Sequence, residues 1–471
     1  MPSEQPGTNC IVICCDTFRA DMIGHPVVKT PNLDRLVREG ITFTQAFAEG
    51  LPTIQARRTC FSGVRSFPWR FEMDTRGVWP AIPGWHRIPS GQTTLAEHLY
   101  ENRVVTGLVG DTYHMFKPTH NFTRGFCSWD FIRGQEGDTV RSGPLSAIDV
   151  TPYVPDGAST DPREYGSLAQ YLLNMLDRRT EEDYLPARVF RRACSWVEEN
   201  RENDPWFLWI DSFAPHERWD PPMAFADRYY VAETDKNYIQ PQVVNYPGAT
   251  EDEIERTKAL YYGYVTFVDK WIGVLLDKLE QCGLMDSTAV IFTSDHGTEL
   301  WDRNRVGKGG DRLHAYNTRL PFLVRLPGGR DGGRTRDDFV QHQDVFPTVC
   351  GVLGVTTGAD LDLDGRDIFD ADGAAPEKVI TGWGPTVSVR DRQWNLVLDS
   401  TGGERCELYD LEADPNELAN VAEQHADVVS DLKAFLEDTL GELPYEIKHR
   451  GDGRQVPPHV IRIRPALRAE P

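Results

Sequence analysis

Cys10-Ile11-Val12-Ile13-Cys14-Cys15 is continuously apolar and is closed by Asp16. A run of this kind reads as a central strand buried on both faces. A carboxylate at its C-terminal end stands where open α/β sheets hold their ligands. Working outward, Thr30-Pro31 followed by Leu33, Leu36 and Val37 reads as a helix start with helical apolar spacing. Further strands are expected at Val104 to Val109, Trp206 to Phe213, Thr288 to Thr293 and Pro321 to Arg325, with helices around 184–200 and 251–281. Strands alternating with helices predict an α/β fold: a large, mostly parallel sheet sandwiched by helices.

The stretch from about 60 to 165 is rich in Gly, Pro, Trp and charge with little periodicity, as expected of long surface loops around a site. Past 370, a short strand at Trp394 to Leu398 and a helix at about 421–440 predict a small C-terminal α+β subdomain. The expected division is a catalytic domain at 1–370, the subdomain at 371–442 and a locally basic tail at 443–471, packed as an arm on the surface or on a partner.

The 471 residues carry 50 Lys and Arg against 72 Asp and Glu, a formal charge of −22. That balance excludes a nucleic-acid partner, whose binding rests on phosphate neutralisation, and leaves a small anionic substrate open. The start lacks a basic n-region and a long apolar run, so neither a signal peptide nor a membrane span is expected and a cytoplasmic location follows. Nine Cys, three of them inside one strand, do not suggest a disulfide framework.

Two segments carry chemistry. In Phe292-Thr-Ser-Asp295-His296-Gly297 an apolar strand runs into adjacent oxygen and nitrogen ligands, a pairing suited to zinc or manganese, with Asp16 as a candidate third ligand. The other reading is a strand-end turn with a capping Asp and a surface His. In Thr53-Ile-Gln-Ala-Arg57 a hydroxyl one turn before an Arg at a helix start places an oxygen and a guanidinium near a bound oxyanion. Thr53 as a simple N-cap is the alternative there.

Together with the segments around them, these motifs give the chain a form that resembles the sulfatase family of the alkaline phosphatase superfamily over roughly 9–440. The resemblance rests on Asp16-Thr-Phe-Arg-Ala-Asp, Thr30-Pro-Asn-Leu-Asp34-Arg-Leu, Thr53 to Gly63, Trp209 to Glu217 with its Pro215-His216, Asp269 to Gly297, Gly307-Lys308-Gly, Arg319-Leu-Pro-Phe, Gln343-Asp-Val-Phe-Pro347-Thr348, Asp364-Gly-Arg and Glu407 to Pro415. It implies an alkaline-phosphatase-like fold and a metal-dependent ester hydrolase. By it, Asp16, Asp295 and His296 are metal ligands, and Thr53 is the nucleophile and a ligand as well. Arg57, His216 and Lys308 then bind the anion and serve the leaving group.

The departures matter too. Sulfatases carry Cys or Ser at the nucleophile position and oxidise it to formylglycine; Thr53 cannot be converted, since its β-carbon bears a methyl group, and position 55 is Gln rather than Pro. A Thr53 ester must be opened by water, which favours phosphate mono- or diesters or phosphonate esters over sulfate esters. A sulfatase working without formylglycine, and an inactive binding protein of the same fold, are the alternatives. Cys15-Asp16-Thr17 and Asp295-His296 hold fewer carboxylates than a calcium sulfatase site, so one Mn or Zn ion is expected rather than Ca. A second zinc would need Asp211, His216 and His314. His114 and His314 are further pocket candidates, whereas the cluster Trp129-Asp130-Phe-Ile-Arg133-Gly-Gln135-Glu136 reads as a solvated face. Asp34 and Asp269 are expected to pair or cap within helices. The expected partner is a small anionic ester, with no nucleic acid and no membrane, and homo-oligomer formation stays open.

Overall fold

Asn9–Cys15 forms strand β1, buried along its whole length. The computed structural model describes residues 8–69, 82–116, 120–241, 249–371 and 373–447. In chain order the other strands are β2 (Ile41–Phe47), β3 (Gly50–Leu51), β4 (Val105–Gly110), β5 (Ser128–Phe131), β6 (Trp206–Ser212), β7 (Thr288–Ser294), β8 (Glu299–Leu300), β9 (Val306–Gly307), β10 (Phe322–Arg325), β11 (Arg334–Gln341), β12 (Val379–Trp383), β13 (Thr386–Arg390), β14 (Trp394–Asp399) and β15 (Cys406–Asp410).

Eight of them make one sheet in the order β11-β2-β10-β7-β1-β6-β4-β5. β1 lies parallel between β6 and β7. Within this sheet β10 alone is antiparallel to its neighbours. The continuous apolarity of β1 has a direct cause in this placement. Ile11, Ile13 and Cys15 enter the core under the helices Leu185–Asn200 and Glu251–Gln281, while Cys10, Val12 and Cys14 enter the opposite core with residues of Thr53–Ser62 and Val345–Leu353. Both faces of the strand are thus covered, as a parallel sheet requires.

The expected helices are present at Leu185–Asn200 and Glu251–Gln281, the second opened by a Thr250–Glu253 capping box. Asp269 on that long helix accepts from the N–H groups of Leu33 (2.8 Å) and Asn32 (3.2 Å), capping Pro31–Glu39 from outside. A side chain at Gly273 would collide with Asn32, so glycine permits this close approach.

Several elements differ from expectation. Besides the expected strand β4, the 60–165 stretch contains the helix Leu95–Glu101, whose capping box joins Thr94 and Glu97, and the strand β5, so it is more structured than a set of surface loops. Strands β2 and β11 were not anticipated; β11 begins exposed and polar, as suits an edge. The last described helix starts at Ala426 rather than near 421. A second sheet, β15-β14-β13-β12-β3, borrows Gly50–Leu51 from the N-terminal part, with Gly50 and Leu51 paired in parallel to Gly382 and Trp383. The sheet of 371–442 is therefore stitched to the chain just ahead of Thr53. The tail beyond 447 lies outside the described residues. Among the described residues no helix is long and apolar enough to cross a membrane.

Candidate metal centre and active site

The parallel strands deliver their C-terminal ends to one edge of the sheet. Asp16 follows β1 and Asp295 follows β7, and the two strands are direct neighbours. Asp16, Asp295 and His296 are buried, and among the described residues they form the one group of three such side chains whose ligand atoms all lie within 4.8 Å of one another. His296 Nδ1 donates to the Gly297 carbonyl (2.8 Å), so its lone pair is on Nε2. That Nε2 faces Asp295 Oδ2 at 3.7 Å and Asp16 Oδ1 at 3.9 Å, and among the described residues neither it nor Asp16 Oδ2 has a hydrogen-bond partner.

Arg57 is fully buried beside this group. Its Nη1 lies 2.6 Å from Asp295 Oδ2 and 3.1 Å from Asp16 Oδ2, and its Nε lies 2.9 Å from Asp211 Oδ2. Three buried carboxylates thus converge on one guanidinium, and the excess negative charge is what a divalent cation balances. Burial pushes the Asp16 carboxyl up and the adjacent Asp295 charge adds to it, against the pull of Arg57. Burial acts on Asp295 in the same sense, yet His296 and Arg57 hold it below the usual carboxylate range. An imidazole lone pair with no hydrogen bond among the described residues and unbalanced negative charge both fit a divalent metal.

Thr53 is the first residue of the helix Thr53–Ser62, every residue of which is buried. Its carbonyl accepts from Arg57 Nη1 (3.2 Å), the same nitrogen that touches both aspartates. The helix ends at Gly63 in the left-handed conformation (φ 67°), donating to the Thr59 carbonyl. Two further buried groups hold this loop and were missed in the sequence. Glu49 accepts from Thr59 Oγ1 (2.9 Å) and from the N–H groups of Ser66 (2.9 Å) and Phe67 (3.0 Å). His342 donates through Nε2 to the Ser294 carbonyl (3.1 Å) and accepts the Glu49 N–H at Nδ1 (3.3 Å), tying the end of β7 to the segment that leads to Thr53.

The opposite wall comes from loops. Lys308 Nζ donates to Thr17 Oγ1 (3.3 Å), which itself donates to Asp16 Oδ1 (2.8 Å), and Lys308 Nζ also lies 2.6 Å from Glu217 Oε2. His216 Nδ1 donates to the Glu217 carbonyl (2.7 Å) and lies 3.1 Å from Glu217 Oε2. Burial, and next the Lys308 charge, bring His216 down to about 4. Glu217 is pushed up by burial, but Lys308 and His216 hold it well below the carboxylate range. His114 donates through Nε2 to Glu136 Oε2 (3.0 Å), and Glu136 Oε1 comes within 4.0 Å of His216 Nδ1. Asp111, after β4, accepts from the Phe213 N–H (2.6 Å) and from Gln135 Nε2 (2.7 Å), and burial raises it to about 7.

Two expectations change here. Glu136 belongs to no solvated face: its side chain is half-buried and accepts from His114, so the structure draws this part of the 129–136 cluster into the site. The trio proposed for a second zinc does not assemble. Asp211 is bound by Arg57, Thr112 and Trp209, and His314 lies with Glu417 (3.1 Å) against Tyr409. His314 lines instead a cavity of about 630 Å³ with Arg303, Arg305 and Arg405. A carboxylate directly after His216 was the available signal for Glu217.

A family model described as Sulfatase matches residues 8–355. The chain belongs to the sulfatase family. It is 26% identical over 418 residues to the multifunctional alkaline phosphatase superfamily protein PehA of Trinickia caryophylli, covering 77% of this chain and 76% of that one. An arylsulfatase of Clostridium perfringens is 22% identical over 484 residues, with 91% and 93% covered. Among solved structures, the phosphonate monoester hydrolase of Agrobacterium radiobacter superposes with a TM-score of 0.68 at 22% identity, over 92% of this chain and 95% of that one. As a member of the sulfatase family the chain is an ester hydrolase, and enzymes of this family use a divalent metal.

Proposed function

We propose that the chain hydrolyses small anionic esters of phosphorus, phosphate mono- or diesters or phosphonate esters, with Thr53 as nucleophile. The observation that carries this reading is a threonine, unable to become formylglycine, at the start of a buried helix whose first carbonyl shares Arg57 with Asp16 and Asp295. Asp16, Asp295 and His296, with Thr53 as a fourth ligand, would hold one Mn or Zn ion rather than Ca. Such an ion lowers the pKa of a neighbouring hydroxyl and polarises ester oxygens when bound.

The residues of the chain do the rest. Arg57 and Lys308 orient the anionic group and offset charge developing on it, in a buried pocket where such charges act strongly. Thr53 Oγ attacks in line, and water then opens the Thr53 ester. Thr53→Ala should abolish turnover with metal content and fold intact; near-normal rates would reject the nucleophile. A panel of nitrophenyl phosphate, phosphodiester, phosphonate and sulfate esters sets the substrate class. Sulfate esters are the second reading, favoured by the arylsulfatase relative, and dominant sulfate turnover would install it. Nine free cysteines support a reducing, cytoplasmic setting.

A further inference from the structure

The groups around the site differ in how far solvent reaches them. The side chains of Asp16, Arg57, Asp295 and His296 are closed off, at 0–1% exposed. Lys308 (13%), His216 (12%) and Glu136 (14%) keep part of their side chains open, and Trp383 is also only half-buried. Lys308, His216 and Glu136 are polar and come from the facing loops. Trp383 is apolar and comes from the second sheet, where it ends β12. Its backbone lies in register with Leu51, two residues before Thr53, across the parallel seam. Past it the chain turns at Gly384, whose carbonyl accepts the Trp69 indole N–H (2.7 Å), and returns in β13. The indole packs on the core that holds Leu51 and Leu313, and it spans two parts of the site. Its ring centre is 6.1 Å from that of His296, and a Cβ at Gly310 would stand 3.3 Å from Trp383 Cδ1. Gly310 is two residues past Lys308, so the Lys308 segment rests on the indole edge through a residue without a side chain.

We propose that Trp383 determines specificity: its indole contacts the organic group of the ester and selects flat aromatic groups over small aliphatic ones. This rests on the reading of the Thr53 site above and names the class of ester that site takes. Arg57 and Lys308 can hold the anionic head of any such ester, so they cannot tell one organic group from another. A half-buried indole between a metal-site histidine and the Lys308 segment stands within reach of the group attached to that head. Its broad apolar face gains most against another flat ring, which it meets offset or edge-on, and little against a methyl group. The second sheet, joined to the first part of the chain at Gly50–Leu51, thereby takes part in substrate choice.

Competitive inhibition by phenylphosphonate and by methylphosphonate, read on the turnover of a nitrophenyl ester, tests this role. Both ligands present the same anionic head on a carbon–phosphorus bond that ester hydrolysis leaves intact, so they differ in the organic group alone. The wild type should bind phenylphosphonate about 10- to 100-fold more tightly than methylphosphonate. Trp383→Leu, which keeps an apolar side chain against Gly310, and Trp383→Ala should both lose most of that ratio. The loss should come from weaker phenylphosphonate binding, with methylphosphonate inhibition and metal content unchanged. Trp383→Phe, which restores a flat ring, should keep most of the ratio. Equal weakening of both ligands in the Leu and Ala variants would make Trp383 a packing residue behind His296 and overturn the proposal. A wild type that binds the two ligands alike, or a ratio that survives in Trp383→Ala, would overturn it as well. The nucleophile is judged separately: activity in Thr53→Ala rejects it whatever the ratio, and a missing phenyl preference rejects the role of Trp383 whatever Thr53→Ala does.

Discussion

The two walls of the site are built differently. The metal wall consists of residues at the ends of adjacent parallel strands, Asp16 after β1 and Asp295-His296 after β7, locked by ladder hydrogen bonds and by Arg57. The facing wall consists of loop residues, Glu136, His114, His216, Glu217 and Lys308, which hold one another through side-chain pairs across long stretches of chain. Rigid strands set the position of the charge-bearing centre, while the loops set the protonation of the groups around it.

The largest effect should come from the metal wall. Asp295→Asn removes a ligand oxygen's charge and one partner of Arg57, so bound metal should be lost on dialysis and turnover should fall to background. Metal analysis beside the rate measurement separates this from a folding defect, and retained metal at full stoichiometry would remove Asp295 from the ligand set. The facing wall should respond more mildly. Glu136→Gln weakens a charge-assisted hydrogen bond to His114 and should lower kcat about 10- to 100-fold with metal content unchanged. Loss of metal in that variant would break the distinction between the walls.

The same contrast explains what was legible in the sequence. Asp16 and Asp295-His296 follow apolar runs, so local pattern alone places them at strand ends, and parallel pairing brings them together. Glu136 could not be read that way. Its partner His114 is 22 positions away, and a charged loop residue carries no local mark of burial. Glu49 and His342 are 293 positions apart and meet only through the packing of Val345–Leu353 and Thr53–Ser62 onto one face of the sheet. Strand β11, Arg334-Thr-Arg-Asp-Asp-Phe-Val-Gln341, lacks the apolar run of a central strand because it is an edge. The Leu95–Glu101 helix did have a readable signal, the Thr94-x-x-Glu97 capping box.

The smallest effect on catalysis should come from the seam between the two sheets. Glu417 accepts from Asn395 Nδ2 (2.6 Å) and the Ala315 N–H (3.0 Å), and it is ion-paired with Arg390 and with His314 at 3.1 Å. Burial pushes its carboxyl up, but Arg390 and His314 outweigh that and bring it from 4.5 down to about 2. A depressed folded-state pKa stabilises the fold above the unfolded value, and the contribution fades as pH falls from about 4.5 towards about 2. Its size is on the order of 3 kcal/mol. Glu417→Gln should therefore lower stability by about that amount at pH 7, read by urea denaturation. The gap to the wild type should shrink in acid, while kcat changes little because no metal ligand or Thr53 contact is touched. A gap that stays constant down to about pH 3 would show that the substituted amide is costly for its shape alone, since the Glu417 charge is the titrating group by which the two proteins differ.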